Sequence, residues 1–153
     1  MLDITRRKFC NGLFLTMSAL MLFARKLGAK TSSQRGLQLA YPPMKIQGAD
    51  RLSPGSALNF SYPTANDPAI LVRDNYGEYF AHSRRCAHLG CSVDFDSARR
   101  CLECPCHHGA YDANTGSVLN GPPTKSLDPI ILQMRAGGEV WAVGKGISCP
   151  SKD

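Results

Sequence analysis

The sequence predicts an all-β domain, a small sandwich or barrel of stacked antiparallel sheets, over residues 44–147 of the 153-residue chain. From Met44 onward the apolar residues show almost no helical periodicity. Short apolar and β-branched runs recur instead, separated by turn-forming segments such as Ala136–Gly138, and this pattern is typical of antiparallel sheets. The predicted strands are Ala57–Tyr62, Ala69–Arg73, Glu78–His82, Ser92–Phe95, Ile130–Arg135 and Glu139–Val143.

An N-terminal apolar helix is predicted before this domain, within residues 1–30. Arg6 and Arg7 precede an apolar run from Cys10 to Ala24, and this arrangement resembles the signal of the Tat route, which exports folded proteins. The run is shorter than the ~20 residues of a usual membrane span, and no clear small-residue cleavage site follows it. We therefore expect an uncleaved anchor at the periplasmic face of a bacterial inner membrane. A cleaved leader would instead leave a soluble periplasmic protein.

Two short segments flank the predicted domain. Residues 31–43 are polar and contain glycine and proline, which predicts a linker that gives the domain some reach from the membrane. Residues 148–153 are predicted to be a C-terminal tail.

The formal charge of +6 belongs to the first part of the chain. Seven basic residues and one acidic residue precede Gly36, whereas the rest of the chain holds eleven basic and eleven acidic residues. The predicted domain is therefore neutral overall. A domain that binds nucleic acid would carry a basic patch, so the sequence argues against nucleic acid as a partner.

Two short cysteine–histidine boxes carry the chemistry. The first reads Cys86-Ala87-His88-Leu89-Gly90-Cys91, and the second reads Cys104-Pro105-Cys106-His107-His108-Gly109. Two thiolates and two imidazoles from such loops also suit a structural zinc site, so four ligands alone leave the metal open. Each box, however, contains a second cysteine that a four-ligand site does not require, Cys91 in the first and Cys106 in the second.

Together the boxes resemble those of the Rieske iron–sulfur family, in its high-potential branch that contains a disulfide. The resemblance implies the Rieske fold, with one [2Fe–2S] cluster per chain held by loops at one tip of the sheets. The implied ligands are Cys86 and Cys104 on one iron and His88 and His107 on the other. It also implies a disulfide between Cys91 and Cys106 that ties the two loops together.

The resemblance also assigns roles to residues around the cluster. Leu89 and the Gly121-Pro122-Pro123 segment would shield the cluster from water, and Tyr111 would donate a hydrogen bond to a cysteine ligand. Gly109 stands where the family has a serine that donates to a bridging sulfide. Because hydrogen bonds to the sulfurs help to set the reduction potential, the missing hydroxyl argues against the highest potentials.

The remaining histidines, cysteines and tryptophan receive simpler interpretations. Cys106-His107-His108 also reads as a Cys-x-His pattern. The family spacing, however, selects His107 as the ligand and leaves His108 facing solvent. His82 is expected to be a solvent-facing residue at a strand end, and Trp141 is expected in the core. Cys101 and Cys149 are left over, and the sequence leaves open whether they pair.

The function implied by the resemblance is one-electron transfer, by a small subunit of a respiratory or periplasmic redox complex. Rieske centres span about −150 to +300 mV, against about −400 mV for plant-type clusters with four cysteine ligands. The expected partners are a c-type cytochrome, a quinol-oxidising subunit or the large subunit of a molybdoenzyme, together with the membrane. The alternatives are the Rieske subunit of a quinol–cytochrome c (bc1-type) oxidoreductase and a non-redox zinc-binding interaction module.

Overall fold

The structure, a computed structural model, describes residues 39–148, in which the regular elements are strands and two short 3-10 turns. The strands are β1 Leu39–Lys45, β2 Ser56–Ser61, β3 Pro68–Arg73, β4 Tyr79–Ser83, β5 Asp94–Asp96, β6 Cys101–Glu103, β7 Ala110–Asp112, β8 Val118–Asn120, β9 Ile130–Arg135 and β10 Glu139–Lys145. The all-β prediction is confirmed. The predicted N-terminal helix, with Arg6 and Arg7, lies outside the described residues, as does most of the predicted tail. Within the described residues, no helix has the length and hydropathy needed to cross a membrane.

Three antiparallel sheets build the fold. Two have three strands, in the orders β1-β10-β9 and β2-β3-β4, and the third has four short strands in the order β5-β6-β7-β8. Consecutive strands form hairpins in the second and third sheets, whereas β1 at the start of the domain pairs with β10 at its end. A bridge between His82 and Pro129 connects the end of β4 to the segment that leads into β9.

Strand β3 is buried on both of its faces. Ala69 and Leu71 belong to a core shared with β9 and β10, whereas Ile70 and Val72 belong to a second core beneath the four-stranded sheet. All four side chains are at most 1% exposed. A strand that is buried on both faces requires a continuous apolar run rather than an alternating one, which explains the sequence Ala-Ile-Leu-Val at 69–72.

Three connections next to the second core carry the predicted site residues of the described part of the chain, apart from Tyr111, which lies on β7. The first follows β4 over residues 84–93, the second joins β6 to β7 over residues 104–109, and the third follows β8 at residues 121–123. Cys86 and Cys104 are themselves members of the second core. Packing under the four-stranded sheet therefore fixes where the first two loops begin.

The predicted linker, residues 31–43, is too long at its C-terminal end. Residues 39–43 belong to β1, which pairs with β10. Pro42 and Pro43 made this run resemble a linker, but they lie where the β1–β10 register shifts, between Ala40 and Met44. Proline is accepted at such irregularities and on edge strands because no ladder hydrogen bond is required of it there.

Trp141 does not lie in the core, contrary to the prediction. Strand β10 alternates, so Val140 and Ala142 point inward while Trp141 lies half-buried on the opposite face. There the Arg135 guanidinium carbon lies 3.9 Å from the ring centroid, and the indole N–H donates to the Glu139 carboxylate at 3.0 Å. The aromatic ring is therefore part of a surface cluster of charged side chains.

Candidate metal centre

The two boxes form loops with the same backbone hydrogen bonds. In each loop the N–H of the first cysteine donates to the carbonyl five residues later, and the N–H four residues later donates back to the carbonyl of that cysteine. These bonds are Cys86 to Cys91, Gly90 to Cys86, Cys104 to Gly109 and His108 to Cys104, at 2.8–3.0 Å. Gly90 (φ 78°) and His108 (φ 55°) hold equivalent left-handed positions, so His108 is the counterpart of a glycine.

Each loop aims two backbone N–H groups at the sulfur of its first cysteine. The donors are the residues two and three places later, which are His88 and Leu89 for Cys86, and Cys106 and His107 for Cys104. The two thiols are only 5% and 2% exposed. N–H donors stabilise a thiolate, which is the form in which cysteine binds a metal.

The two thiols differ in acidity in the absence of metal. Burial raises the pKa of Cys86, but hydrogen bonds from the Tyr111 hydroxyl and from the loop N–H groups outweigh it, so the pKa is lowered overall. At Cys104 burial dominates, and the pKa is raised.

The two predicted imidazole ligands lie together at the surface. The ring centroids of His88 and His107 are 4.7 Å apart, with the ring planes at 83°, and both residues are exposed. The side chain of His108 is 83% exposed and lies 3.4 Å from the Glu103 carboxylate. The expectation that His108 faces solvent is confirmed.

A disulfide joins Cys91 to Cys106, the pairing that the resemblance implied. It connects the end of the first loop to the second loop across 15 residues of sequence. The Cys104 sulfur lies within 4.8 Å of both bridged sulfurs. Cys101 is a buried free thiol on β6, whereas Cys149 lies outside the described residues.

Tyr111 contacts the sulfur of Cys86 through its hydroxyl group. The residue is fully buried, and its hydroxyl lies 3.2 Å from the Cys86 sulfur while it accepts the Ala87 N–H at 3.0 Å. A metal-bound thiolate has no proton to donate, so the hydroxyl hydrogen is left to point at the sulfur. Burial and the Cys86 contact raise the pKa of Tyr111, which keeps the hydroxyl protonated.

The Gly121-Pro122-Pro123 segment packs against the second loop at Gly109. A Cβ on Gly109 would lie 2.7 Å from Cγ of Pro123, and a Cβ on Gly121 would lie 2.7 Å from the Gly109 Cα. Gly109 and Pro123 are buried, whereas Pro122 is exposed. The close approach of this segment therefore requires glycine at both contact points. Leu89 is 70% exposed, so it does not fill the core, and its shielding role stays a prediction.

Sequence reasoning missed Arg84, which closes the base of the first loop. Its Nε–H donates to the Val93 carbonyl at 2.8 Å, and its guanidinium also contacts the Asp94 carboxylate. The backbone N–H of Val93 returns a hydrogen bond to the Arg84 carbonyl at 2.8 Å. These contacts form only when β4 and β5 come together, so the local sequence gives no signal for them.

His82 is buried, contrary to the prediction that it faces solvent. It is 2% exposed, and its Nε2–H donates at 3.1 Å to the carbonyl of Ala113, 31 residues later. Gly116 in the same covering turn leaves room for the ring, because a Cβ there would lie 2.8 Å from Nδ1. Burial lowers the pKa of His82, which keeps the ring neutral. The end of β4 is covered by a turn about 30 residues later in the chain, so the sequence around His82 does not indicate its burial.

The predicted donors lie in two pairs, the thiols of Cys86 and Cys104 and the imidazoles of His88 and His107, and two such pairs fit a [2Fe–2S] cluster of mixed ligation. Cys86 and Cys104 would hold one iron as buried thiolates that accept backbone hydrogen bonds, and neither is used by the disulfide. His88 and His107 would hold the other iron as neutral imidazoles. A zinc ion would use the same four donor atoms. The donor set alone therefore does not distinguish a zinc site from a [2Fe–2S] cluster.

Comparison with known proteins makes that choice. The sequence model of the Rieske [2Fe-2S] domain matches residues 43–135, which include both boxes and the Gly121-Pro122-Pro123 segment. The chain belongs to the Rieske [2Fe–2S] family. This Rieske protein therefore carries a Rieske-type cluster and transfers single electrons through it. None of the comparisons supports the zinc-binding module.

Several relatives of the Rieske protein are subunits of redox complexes. It is 29% identical over 154 residues to the iodate reductase subunit IdrB of Denitromonas iodatirespirans, covering 92% of this chain and 80% of the relative. It is 35% identical over 107 residues to the cytochrome b6-f complex iron-sulfur subunit of Chlorobaculum tepidum, covering 67% of this chain and 59% of the relative. The plasma membrane Rieske protein PetC3 from Synechocystis PCC 6803 matches with a TM-score of 0.50 at 30% identity, covering 59% of this chain and 86% of that one.

Proposed function

We propose that this protein relays single electrons between two partner proteins through the surface formed by His88 and His107, as the small Rieske subunit of an exported redox complex. The observation that carries the proposal is an asymmetry of burial. The thiols of Cys86 and Cys104 are 5% and 2% exposed, whereas both imidazoles are exposed and adjacent. When bound, the cluster supplies a one-electron couple. The chain keeps water from the sulfurs and presents the imidazoles to a partner.

The partner that we favour is the large subunit of a molybdoenzyme that converts an oxyanion, with a c-type cytochrome as the second partner. The alignment with IdrB, which its name places in an iodate reductase, extends over 92% of this chain. Gly109 lacks the hydroxyl that the high-potential branch has at this position. Its absence argues against a reduction potential at the top of the Rieske range, and therefore against quinol oxidation that requires such a potential.

A quinol-oxidising complex of the bc1 or b6-f type is the second candidate. The Tyr111 hydroxyl on the Cys86 sulfur and the Cys91–Cys106 disulfide favour it, because both features belong to the high-potential branch. The relative from the cytochrome b6-f complex supports it as well. This chain spans only 59% of that relative, so the activity of its complex stays a proposal here.

The location that we propose is the periplasmic face of a bacterial inner membrane, reached by the Tat route and held there by residues 1–30. The support is the Arg6-Arg7 pair before an apolar run in the sequence. A redox complex at this face would place the exposed imidazoles within reach of periplasmic carriers.

The metal assignment is tested on full-length protein purified from membranes. We expect iron and acid-labile sulfide in equal amounts, no stoichiometric zinc, and a Rieske-type EPR spectrum after reduction. His107→Ala should abolish the spectrum, whereas His108→Gly should keep it, because the equivalent position in the first loop is already Gly90. Zinc without iron, or an unchanged spectrum in the His107 variant, would refute the proposed function.

The partner is tested by purifying the native complex through a C-terminal tag. Co-purification of a molybdenum-containing subunit, with reoxidation of the cluster by its oxyanion substrate, would support the favoured partner. Reduction of the cluster by a quinol, blocked by an inhibitor of quinol oxidation, would instead establish the second candidate.

A further inference from the structure

A surface cavity lies at the end of the strands opposite the cluster loops. It has a volume of about 410 Å³, and its wall includes the ends of β3 and β7 and the turn between β5 and β6. Strand β6 leads from Arg100 at the cavity to Cys104 in the second loop. Strand β3 ends at the cavity with Arg73, whereas Ala69 near its start pairs with Ser83, just before the first loop. The cavity is therefore separate from the candidate metal centre.

Arg100 holds its guanidinium at this cavity from an unfavourable backbone conformation. Its φ angle is 54°, in the left-handed region that favours glycine. With its amide oxygen turned towards the guanidinium, Asn75 accepts hydrogen bonds from Nη1 and Nη2 at 3.0 Å each. Within residues 39–148 Arg100 forms no ion pair, whereas its neighbour Arg99 pairs with Glu103 at 2.7 Å. A guanidinium has more N–H donors than one amide oxygen uses, so Arg100 keeps donors and its full charge for a carboxylate.

The other charged groups of the cavity wall are engaged by their own surroundings. Asp74 accepts two backbone N–H groups of the β3–β4 turn at 2.9 Å each. Asp112 accepts two backbone N–H groups and the Thr115 hydroxyl in the β7–β8 turn, at 2.7–3.1 Å. The Arg73 guanidinium donates to the Leu52 carbonyl at 2.7 Å. An incoming carboxylate would therefore find its partner in Arg100.

The remaining wall offers apolar surface and one exposed aromatic ring. Val72 and Ala113 are buried, and Phe95 is partly buried beside them. Tyr76 also lines the cavity, with 93% of its surface exposed. Tyrosine and arginine are the residue types enriched in the hot spots of protein interfaces. A small carboxylate alone would leave the Tyr76 ring in water, whereas a protein segment would cover it.

We propose that this cavity docks a carboxylate-bearing apolar segment of the large subunit of the redox complex. The carboxylate binds the Arg100 guanidinium, and the apolar part of the segment covers the Tyr76 ring. Docking at this end holds the Rieske protein in the complex and leaves His88 and His107 free to meet another partner. The inference rests on the proposed function, because it requires the Rieske protein to be a subunit of a complex.

The first test measures the affinity of full-length, cluster-loaded protein for the native complex from which the Rieske subunit has been removed. Arg100→Gly deletes the guanidinium and suits the left-handed backbone, and Tyr76→Ser deletes an exposed ring. Each should weaken binding roughly tenfold or more, with an unchanged EPR spectrum and reduction potential. Arg51→Ala is the matched control and should bind normally, because it removes one positive charge from a side chain that is 89% exposed outside the cavity.

The second test probes the ligand chemistry by NMR of the full-length oxidised protein with phenylacetate, which joins a carboxylate to an apolar ring. We expect saturable shifts of the backbone N–H signals of Tyr76, Arg100 and Asn114, which line the cavity. The uncharged phenylacetamide should cause no such shifts, and neither should phenylacetate with Arg100→Gly.

Unchanged affinity for the complex in both cavity variants would overturn the inference. It would do so even if phenylacetate bound, because the cavity would then take a free carboxylate and not a partner segment. Absence of shifts with phenylacetate, or equal shifts with phenylacetamide, would overturn the carboxylate chemistry. If Arg100→Gly loses its EPR spectrum, Tyr76→Ser decides the first test. A parent protein without a Rieske EPR spectrum would refute the proposed function, and the NMR titration reports on the cavity whatever that spectrum shows.

Discussion

At the scale of single residues, we expect the Tyr111 hydroxyl to influence the reduction potential of the cluster. It lies 3.2 Å from the Cys86 sulfur and has no exposed surface. A hydrogen bond to a charged group is worth roughly 1.5–3 kcal/mol. The reduced cluster carries one more negative charge than the oxidised cluster, so the bond is stronger in the reduced state. The hydroxyl should therefore raise the reduction potential.

Tyr111→Phe should lower the reduction potential by several tens of millivolts. For a one-electron couple, a tenfold change in equilibrium is 59 mV, or about 1.4 kcal/mol, and only the part of the bond energy that differs between redox states counts. Protein-film voltammetry measures the shift. Tyr79→Phe is the matched control, because the Tyr79 hydroxyl donates to the Ala49 carbonyl at 2.9 Å in the other core. An equal shift in both variants would contradict the direct role of Tyr111.

Gly109 lacks the hydroxyl that the family uses to donate a hydrogen bond to the cluster, and its lack of a side chain lets Pro123 pack closely against it. A serine here would offer the hydroxyl that the family uses, yet its Cβ would lie 2.7 Å from Pro123. Overpacking of this kind typically costs about 1–3 kcal/mol. We therefore expect Gly109→Ser alone to lose iron faster than the parent protein, because the Pro123 ring must move.

The double variant Gly109→Ser/Pro123→Ala separates the two effects. Removing the ring opens space for the serine, so the cluster should be retained and the potential should rise by several tens of millivolts, for the same reason that Tyr111→Phe lowers it. Pro123→Ala alone is the control. A double variant that keeps its cluster at an unchanged or lower potential would show that the hydroxyl has no influence here.

The sequence is most informative for residues whose role follows from local spacing. The positions of both boxes along the chain suffice to pair Cys91 with Cys106 through the family resemblance, and the structure forms that bond. His82 could not be interpreted in this way, because the carbonyl that it binds lies 31 residues away. Burial that is created by a distant turn leaves no mark on the neighbouring sequence.

At the scale of elements, the site consists of two equivalent loops that the disulfide ties together. Each loop is closed by its own backbone hydrogen bonds, and within the described residues the Cys91–Cys106 bridge is the one disulfide that joins the two loops. Longer strands such as β3 and β9 can be predicted from the sequence, because four to six residues are enough to show a run of apolar and β-branched side chains. Strands β6, β7 and β8 have three residues each, which is too short for an apolar pattern to be recognised in the sequence.

Replacing both Cys91 and Cys106 by serine should destabilise the protein by about 3 kcal/mol, the chain-entropy value for a loop of about 15 residues. The cluster should still assemble, since neither residue is an expected ligand, but it should be lost faster. Denaturant unfolding and the rate of iron release are the measurements. Cys101→Ala is the control, because it removes a buried thiol that forms no bridge. An unchanged stability and iron-release rate in the double variant would show that the bridge does not hold the loops.

At the scale of the whole molecule, the site depends on a fold that is complete. Cys86 and Cys104 pack in the same core as Ile70 and Val72 of β3, and β3 in turn covers the core formed with β9 and β10. The positions of both cysteine ligands therefore depend on strands from most of the domain. A protein of this kind that acquires its cluster in the cytoplasm must be exported folded, because unfolding would separate the ligands.

This requirement gives the Arg6-Arg7 pair a testable role, although these residues lie outside the described structure. Replacing both by lysine keeps the positive charge but removes the twin-arginine signal, so cluster-loaded protein should accumulate in the cytoplasm. Cell fractionation with iron and EPR measurements on each fraction gives the distribution. Arg25→Lys, at the far end of the apolar run, is the matched control and should be exported normally. If the double variant reached the periplasm with its cluster as efficiently as this control, the twin-arginine assignment would be wrong and the export route would have to accept another signal.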